Sequence, residues 1–81
     1  MAITTPDEYV ISVPSDLGAA IKRYRGAKGI TQRQAAEIEG VGQSYLSALE
    51  SGKFGSSLGH ALRLLRLLGL EVVVRPKASS G

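Results

Sequence analysis

A polar stretch near the middle of the chain carries side chains that suit the recognition of hydrogen-bonding groups. Residues 31–50 read T-Q-R-Q-A-A-E-I-E-G-V-G-Q-S-Y-L-S-A-L-E. Gln43 and Ser44 place an amide and a hydroxyl at the expected start of a helix, with few acidic neighbours. A glutamine amide donates and accepts together, which matches the edge of an adenine in a base pair. The stretch therefore predicts a surface that reads nucleic acid; a helical hairpin that serves only packing is the alternative.

Two short helices joined by a tight turn are expected to hold this surface. Thr31 is a good N-cap and Gln34 follows three residues later, as in a capping box. Gly40 falls where the first helix would end in a left-handed residue, and Gly42 or Gln43 opens the second helix. The side chains expected to face inward are Ala35, Ala36, Ile38, Val41, Leu46 and Leu49.

A helix is also expected before this pair. It covers residues 16–28, with Ser15 as its N-cap and Gly29 as the glycine that ends it. Its inward-facing positions, at helical spacing, are Leu17, Ala20, Ile21 and Tyr24.

A fourth helix is expected to begin after Ser56 or Ser57. Its apolar stripe consists of Leu58, Ala61, Leu62, Leu65 and Leu68. Leu64 and Leu67 widen this stripe beyond what a chain of this size readily buries. The wide stripe predicts contact with a second copy of the chain.

Both ends of the chain contain short β-prone runs. Residues 9–13 form a possible strand, and residues 70–75 (L-E-V-V-V-R) predict a second one. A lone apolar strand needs a partner. The same strand of a second subunit is the simplest partner, and residues 9–13 of the same chain are the other candidate. The expected divisions are an N-terminal arm (1–14), a helical domain (15–69), a strand (70–76) and a disordered tail (77–81).

Composition excludes several classes of function. The 81-residue chain has no cysteine and one histidine, so disulfides and multi-histidine metal sites are not expected. Its net charge of +3 is mildly basic and compatible with nucleic acid. Residues 51–57 are rich in glycine and serine but lack the phosphate-loop pattern. We expect no cofactor, metal or catalytic residue, no membrane segment, and a cytoplasmic location.

The central stretch resembles the helix-turn-helix of phage-repressor (lambda-type, Xre/Cro) DNA-binding domains. The resemblance rests on Ala36 and on the runs 40–41, 42–44 and 49–52, which read G-V, G-Q-S and L-E-S-G. It implies an all-α fold: a lambda-repressor-like four-helix domain, here with a short C-terminal β-strand that pairs across a homodimer. It also implies double-stranded operator DNA as the ligand.

The run L-G-L-E-V-V-V after the fourth helix, in a chain this short, is similar to HipB-type antitoxins. That similarity implies a toxin partner resembling the HipA protein kinase and autorepression of a toxin–antitoxin operon. A stand-alone or phage-type Xre regulator without a toxin is the alternative. A protein-interaction module that keeps the fold without contacting DNA is a third possibility.

The resemblance also assigns roles to individual residues. Arg25 and Glu50 are expected to form a structural ion pair that pins the first helix to the third. Gln32 is expected to contact a phosphate and to brace Gln43. The expected DNA contacts are Gln32, Arg33, Gln43, Ser44, Tyr45, Ser47 and Lys53. The expected dimer contacts are Leu64, Leu67, Leu70, Val72, Val73 and Val74.

Overall fold

The computed structural model describes residues 8–77. This part of the chain forms four α-helices and one two-stranded sheet. The elements are β1 Tyr9–Ile11, α1 Pro14–Ala27, α2 Gln32–Glu39, α3 Gln43–Glu50, α4 Ser56–Leu67 and β2 Val72–Val74. The expected arm at residues 1–7 and the tail at residues 78–81 lie outside the described residues. No helix within residues 8–77 has the length and apolar character that crossing a bilayer requires.

The two strands pair with each other in antiparallel register. Tyr9 lies opposite Val74, and Ile11 lies opposite Val72. The expectation that the C-terminal strand takes its partner from a second subunit is therefore corrected: β1 of the same chain pairs with it. β1 also packs on α1. The two ends of the described chain therefore lie side by side against the first helix. The C-terminal strand is also shorter than the expected residues 70–75.

The start of α1 differs from the expected Ser15 cap. Pro14 is the first helical residue and Val13 is the N-cap. The Asp16 carboxylate accepts hydrogen bonds from the backbone N–H groups of Ser12 (2.9 Å) and Val13 (3.1 Å). Proline suits the first helical position because the N–H it lacks would have no intrahelical partner there. The acid three residues after the cap thus orders the helix start from inside the first turn.

The turns around α2 follow the expected pattern. Thr31 accepts a hydrogen bond from the backbone N–H of Gln34 (3.0 Å), and the Gln34 side chain accepts one from Thr31 (2.9 Å). This arrangement confirms the capping box. Gly40 has a φ of 73°, so the left-handed end of α2 is confirmed as well. At α4 the expected start after Ser56 or Ser57 is wrong, because Ser56 is already helical and Gly55 is the N-cap.

The main core lies between the sheet, α1 and α4. Ile11, Ala20 and Leu62 are buried at its centre. The partly buried side chains around them are Tyr9, Leu17, Tyr24, Leu58, Val72 and Val74. A smaller buried set, Ala36 and Leu46, joins α2 to α3. The core therefore holds α1 as a common support for the sheet on one side and for the helix-turn-helix on the other.

Several side chains expected to face inward are exposed. Ile38 is 74% exposed and Leu68 is 69% exposed. Val41 is 38% exposed, so it is only partly covered. Ile38 lies in the last turn of the short helix α2, two positions beyond the buried Ala36, and so it falls largely on the opposite side of the helix.

An outer apolar face covers the far side of α4 and the sheet. Its exposed members are Val10, Leu64, Leu67, Leu68, Leu70 and Val73. Two of the expected dimer contacts, Val72 and Val74, instead pack into the core of their own chain. The remaining four, Leu64, Leu67, Leu70 and Val73, belong to the outer apolar face.

Candidate nucleic-acid interface

The outward side of α3 is polar and accessible. Leu46 is buried and Leu49 is partly buried, so these two residues fix the side of α3 that faces the core. The exposed side chains of α3 are Gln43, Ser44, Tyr45 and Ser47. None of these four carries a charge, so the face offers hydrogen bonds and an aromatic ring rather than electrostatic attraction.

A continuous chain of hydrogen bonds connects the exposed end of α3 to α1. The Gln43 amide donates to the Gln32 side-chain oxygen (3.4 Å), and the Gln32 amide donates to Oε1 of Glu50 (3.2 Å). Glu50 in turn accepts two hydrogen bonds from Arg25. Because Gln32 is the first residue of α2, it spans the start of α2 and both ends of α3. The network therefore links the exposed Gln43 amide, through Gln32, to Glu50 and Arg25.

The pair of Arg25 and Glu50 is bidentate and mostly excluded from solvent. Nε of Arg25 lies 2.6 Å from Oε2 of Glu50, and Nη2 lies 2.9 Å from Oε1. The Arg25 side chain is 17% exposed and that of Glu50 is 4% exposed. Arg25 also donates to the backbone oxygen of Ile30 (2.9 Å). One guanidinium thus joins α1, the loop before α2 and the end of α3, which sets the angle between these elements.

The surroundings of Glu50 favour its charged form. Hydrogen bonding from Arg25 lowers the pKa of Glu50 below its ordinary value of 4.5, and the Gln32 amide lowers it further. Burial raises the pKa of this carboxyl, but the hydrogen bonds outweigh that effect. The same hydrogen bond raises the pKa of Arg25. Both partners are therefore charged near neutral pH.

This pairing predicts a specific dependence of stability on pH. A carboxyl with a lowered pKa in the folded state stabilises the fold above its ordinary pKa, and that contribution is lost as the pH falls through the lowered pKa. We expect the difference in unfolding free energy between wild type and Glu50→Gln to shrink between about pH 7 and about pH 3. Urea unfolding followed by circular dichroism across that range measures it. A difference that stays constant would contradict the assignment.

Close backbone contact between α1 and α3 is a feature that the sequence reasoning missed. Gly18 is buried, and a Cβ there would lie 2.7 Å from the backbone oxygen of Glu50 and would also overlap that of Leu49. A larger residue would push the end of α3 away from α1. The available signal was a glycine inside an otherwise regular helical run, D-L-G-A-A.

The two expected cationic contacts, Arg33 and Lys53, both lie at the surface. Arg33, in the first turn of α2, is 79% exposed and pairs with the exposed Glu37 at 3.4 Å. Such a surface pair contributes little stability and leaves the arginine available. Lys53 is exposed in the loop after α3, where its backbone N–H donates to the oxygen of Ala48 (3.0 Å). The structure thus places both cations on segments directly connected to the Gln43 network.

The arrangement of α2 and α3 defines a helix-turn-helix, and comparison with known proteins agrees. The family model "Helix-turn-helix" (HTH_3, Xre type) matches residues 21–74, about two thirds of the chain. The chain belongs to this family. No solved structure matches it significantly.

Three curated relatives are each named "Uncharacterized HTH-type transcriptional regulator". One from Sinorhizobium fredii is 32% identical over 62 residues, 76% of this chain and 82% of the relative. One from Methanothermobacter thermautotrophicus is 41% identical over 51 residues, 63% of this chain and 74% of the relative. A second Sinorhizobium fredii protein is 33% identical over 57 residues, 70% of this chain but 29% of the relative. The first two matches extend over most of the relatives' length.

Proposed function

We propose that this chain is a DNA-binding transcriptional regulator that inserts α3 into the major groove. The observation that carries the proposal is the exposed Gln43 amide held by Gln32, Glu50 and Arg25. Family membership supports it, as do the names of the relatives. A helix with an apolar side fixed on a scaffold and a polar side outward is the shape that enters a major groove.

The residues of the interface divide into base contacts and phosphate contacts. Gln43 uses one N–H for Gln32, which leaves a second N–H and its oxygen to bind the N7 and N6 groups of an adenine. Besides Gln43, the proposed contacts to base edges are Ser44, Tyr45 and Ser47. The proposed phosphate contacts are Gln32, Arg33 and Lys53. The phosphate contacts supply most of the affinity, and Gln43 supplies preference for one base.

We propose further that two copies act together through the outer apolar face. Leu67 and Leu64 are 80% and 59% exposed there. Large apolar side chains exposed in this number on so small a domain are typical of a protein–protein contact. Because the outward side of α3 is uncharged, a single copy would bind DNA weakly, and binding to two half-sites by a dimer compensates for this. The pairing of β2 with β1 leaves the side chains of Val73 and Leu70 for this contact.

Two narrower functions remain as hypotheses within this class. The first is an antitoxin that represses its own operon and neutralises a HipA-like kinase, and it rests on the resemblance described above. The second is a stand-alone regulator, which is closer to the names of the relatives. The adjacent gene distinguishes them, because a neighbouring kinase-like reading frame supports the antitoxin and its absence supports the regulator. A module that has lost DNA contact would give no salt-sensitive binding to duplex DNA.

Gln43→Ala tests the base contact. We expect it to weaken binding to the DNA upstream of the chain's own gene by about 1–3 kcal/mol, because a bidentate base contact is lost. Binding to an unrelated duplex should stay nearly unchanged. Fluorescence anisotropy titrations of both duplexes measure the two effects.

Arg33→Ala is the matched comparison. It should weaken binding to both duplexes. The slope of log affinity against log salt concentration should fall in magnitude by about one, because one phosphate contact is lost. If Gln43→Ala bound the upstream duplex as tightly as wild type, the proposed base contact would be wrong. If neither duplex bound wild type in a salt-dependent way, the DNA-binding function itself would be wrong.

A further inference from the structure

An apolar pocket opens between α1 and the end of β2, away from the candidate nucleic-acid interface. Its volume is about 520 Å³, and it is lined by apolar side chains that include Leu17, Ile21 and Tyr24. This volume is typical of sites that enclose a side chain or a small ligand. The lining contains no residue of α2 or α3. The pocket is therefore separate from the residues proposed to contact DNA.

The rim of this pocket is basic. Arg23, Lys28 and Arg75 contribute to it. Arg75 is 74% exposed and lies 3.9 Å from Glu8, a distance at which a surface ion pair holds it weakly. Arg23 lies over the ring of Tyr9 at 5.9 Å. An apolar group with acidic neighbours would fit a pocket with an apolar floor and a cationic rim.

The end of α2 has the complementary character. Ile38 is 74% exposed and is flanked by the exposed acids Glu37 and Glu39. Moving such a branched aliphatic side chain out of water into an apolar pocket is favourable. The run E-I-E thus presents an apolar knob between two carboxylates.

We propose that the knob at Ile38 of one copy docks in the α1–β2 pocket of a second copy. Ile38 would fill part of the apolar floor, while Glu37 and Glu39 would approach Lys28 and Arg75 on the rim. The contact is heterologous, because the knob and the pocket are different surfaces that share no residue. It is also distinct from the outer apolar face, so the two contacts can form in the same assembly.

The contact is small and therefore weak in free solution. Between copies held on neighbouring sites of one DNA molecule it becomes effectively intramolecular and strengthens their joint binding. This consequence for DNA rests on the proposed function, whereas the association of the chains in solution does not. The experiment below contains no DNA, so its failure and the failure of DNA binding are distinguishable.

A complementation titration tests the docking. One variant, Ile38→Asp, lacks the knob and keeps the pocket; it carries a fluorescent label. The second variant, with Lys28→Glu and Arg75→Glu, keeps the knob and has a reversed rim. We expect the second variant to bind the first in low salt, and added salt to weaken the complex. A triple variant that combines all three changes should bind the labelled chain at least about tenfold more weakly.

The comparison with the triple variant removes the effect of the outer apolar face, which is intact in every chain and contributes equally to both titrations. Arg63 is exposed and lies outside the knob and the pocket, so Arg63→Glu serves as the charge control. A chain that carries only this change should bind the labelled chain as tightly as wild type does. Thermal melts of each variant establish that it is folded. Equal binding of the rim variant and the triple variant, or no binding by either, would overturn the proposal.

Discussion

Replacing Glu50 with alanine is expected to lower the free energy of unfolding by about 3 kcal/mol. The substitution leaves the Arg25 guanidinium mostly buried without the carboxylate that it faces at 2.6 Å. An unpaired buried charge accounts for most of the cost of breaking such a pair. The lower end of the usual range applies because 17% of the Arg25 side chain still reaches solvent.

Glu37→Ala is the matched control for this change. It removes a carboxylate of the same type from a pair with Arg33, but both side chains there are largely exposed. We expect the control to change the unfolding free energy by less than about 1 kcal/mol. Urea unfolding at neutral pH compares the two variants. Equal losses in both would mean that the position of Glu50 between α1 and α3 has no special role.

Replacing Gly18 with alanine is expected to destabilise the protein by about 2–3 kcal/mol, although alanine is normally the better helix residue. The added Cβ would meet the backbone oxygens of Leu49 and Glu50. Backbone atoms at the end of a packed helix cannot move aside as the tip of a flexible side chain can. α3 must therefore shift, and the Glu50 carboxylate shifts with it. The change should also weaken DNA binding in proportion to the displacement of Gln43.

Gly26→Ala in the same helix provides the opposite expectation. A Cβ at Gly26 meets nothing within 4 Å. We expect this variant to gain about 0.5 kcal/mol, because alanine loses less backbone freedom on folding. Thermal and urea unfolding of the two glycine variants measure both signs. A gain at both positions would show that α1 and α3 lie further apart than described above.

Features encoded by a few neighbouring residues could be predicted from the sequence. The capping box of Thr31 and Gln34 and the left-handed Gly40 are such cases, because each depends on hydrogen bonds within one turn of the chain. The pairing of Arg25 with Glu50 was expected only through resemblance to a family, since no local signal joins residues 25 positions apart.

Features that depend on distant partners could not be predicted. Ile38 was assigned to the core from its spacing relative to Ala35, yet nothing in the described chain lies where it could cover that side chain. A second copy of β2 was the simplest expected partner and residues 9–13 the other candidate, because both runs are β-prone. The packing of α1 and α4 brings the two ends of the described chain together and so decides which strands pair. The pattern of apolar and polar residues within one strand does not specify that partner.

The start of α1 shows how two local signals can compete. Ser15 has the side chain of a good N-cap, but Pro14 before it has the fixed φ of a first helical residue. The Asp16 carboxylate bonds to the N–H groups of Ser12 and Val13, which places the helix start one residue before the serine. Recognition of the acid in the third helical position would have given the correct boundary.

One set of contacts links the stability of the fold to the proposed base contact at Gln43. The same Glu50 carboxylate anchors α3 to Arg25 and accepts the Gln32 amide that orients Gln43. A change at Glu50 should therefore weaken sequence preference even in molecules that remain folded. Glu50→Gln suits this comparison, because it removes the charge and keeps the side-chain length.

Selection of binding sites from a pool of random duplex DNA tests the central claim most directly. Wild type and Gln43→Ala are carried through the same rounds, and the enriched sequences are compared position by position. We predict that wild type enriches two related half-sites that contain an adenine, and that Gln43→Ala loses the preference at that adenine while it retains the others. Enrichment of the same sequence by both proteins, or no enrichment by wild type, would contradict the account.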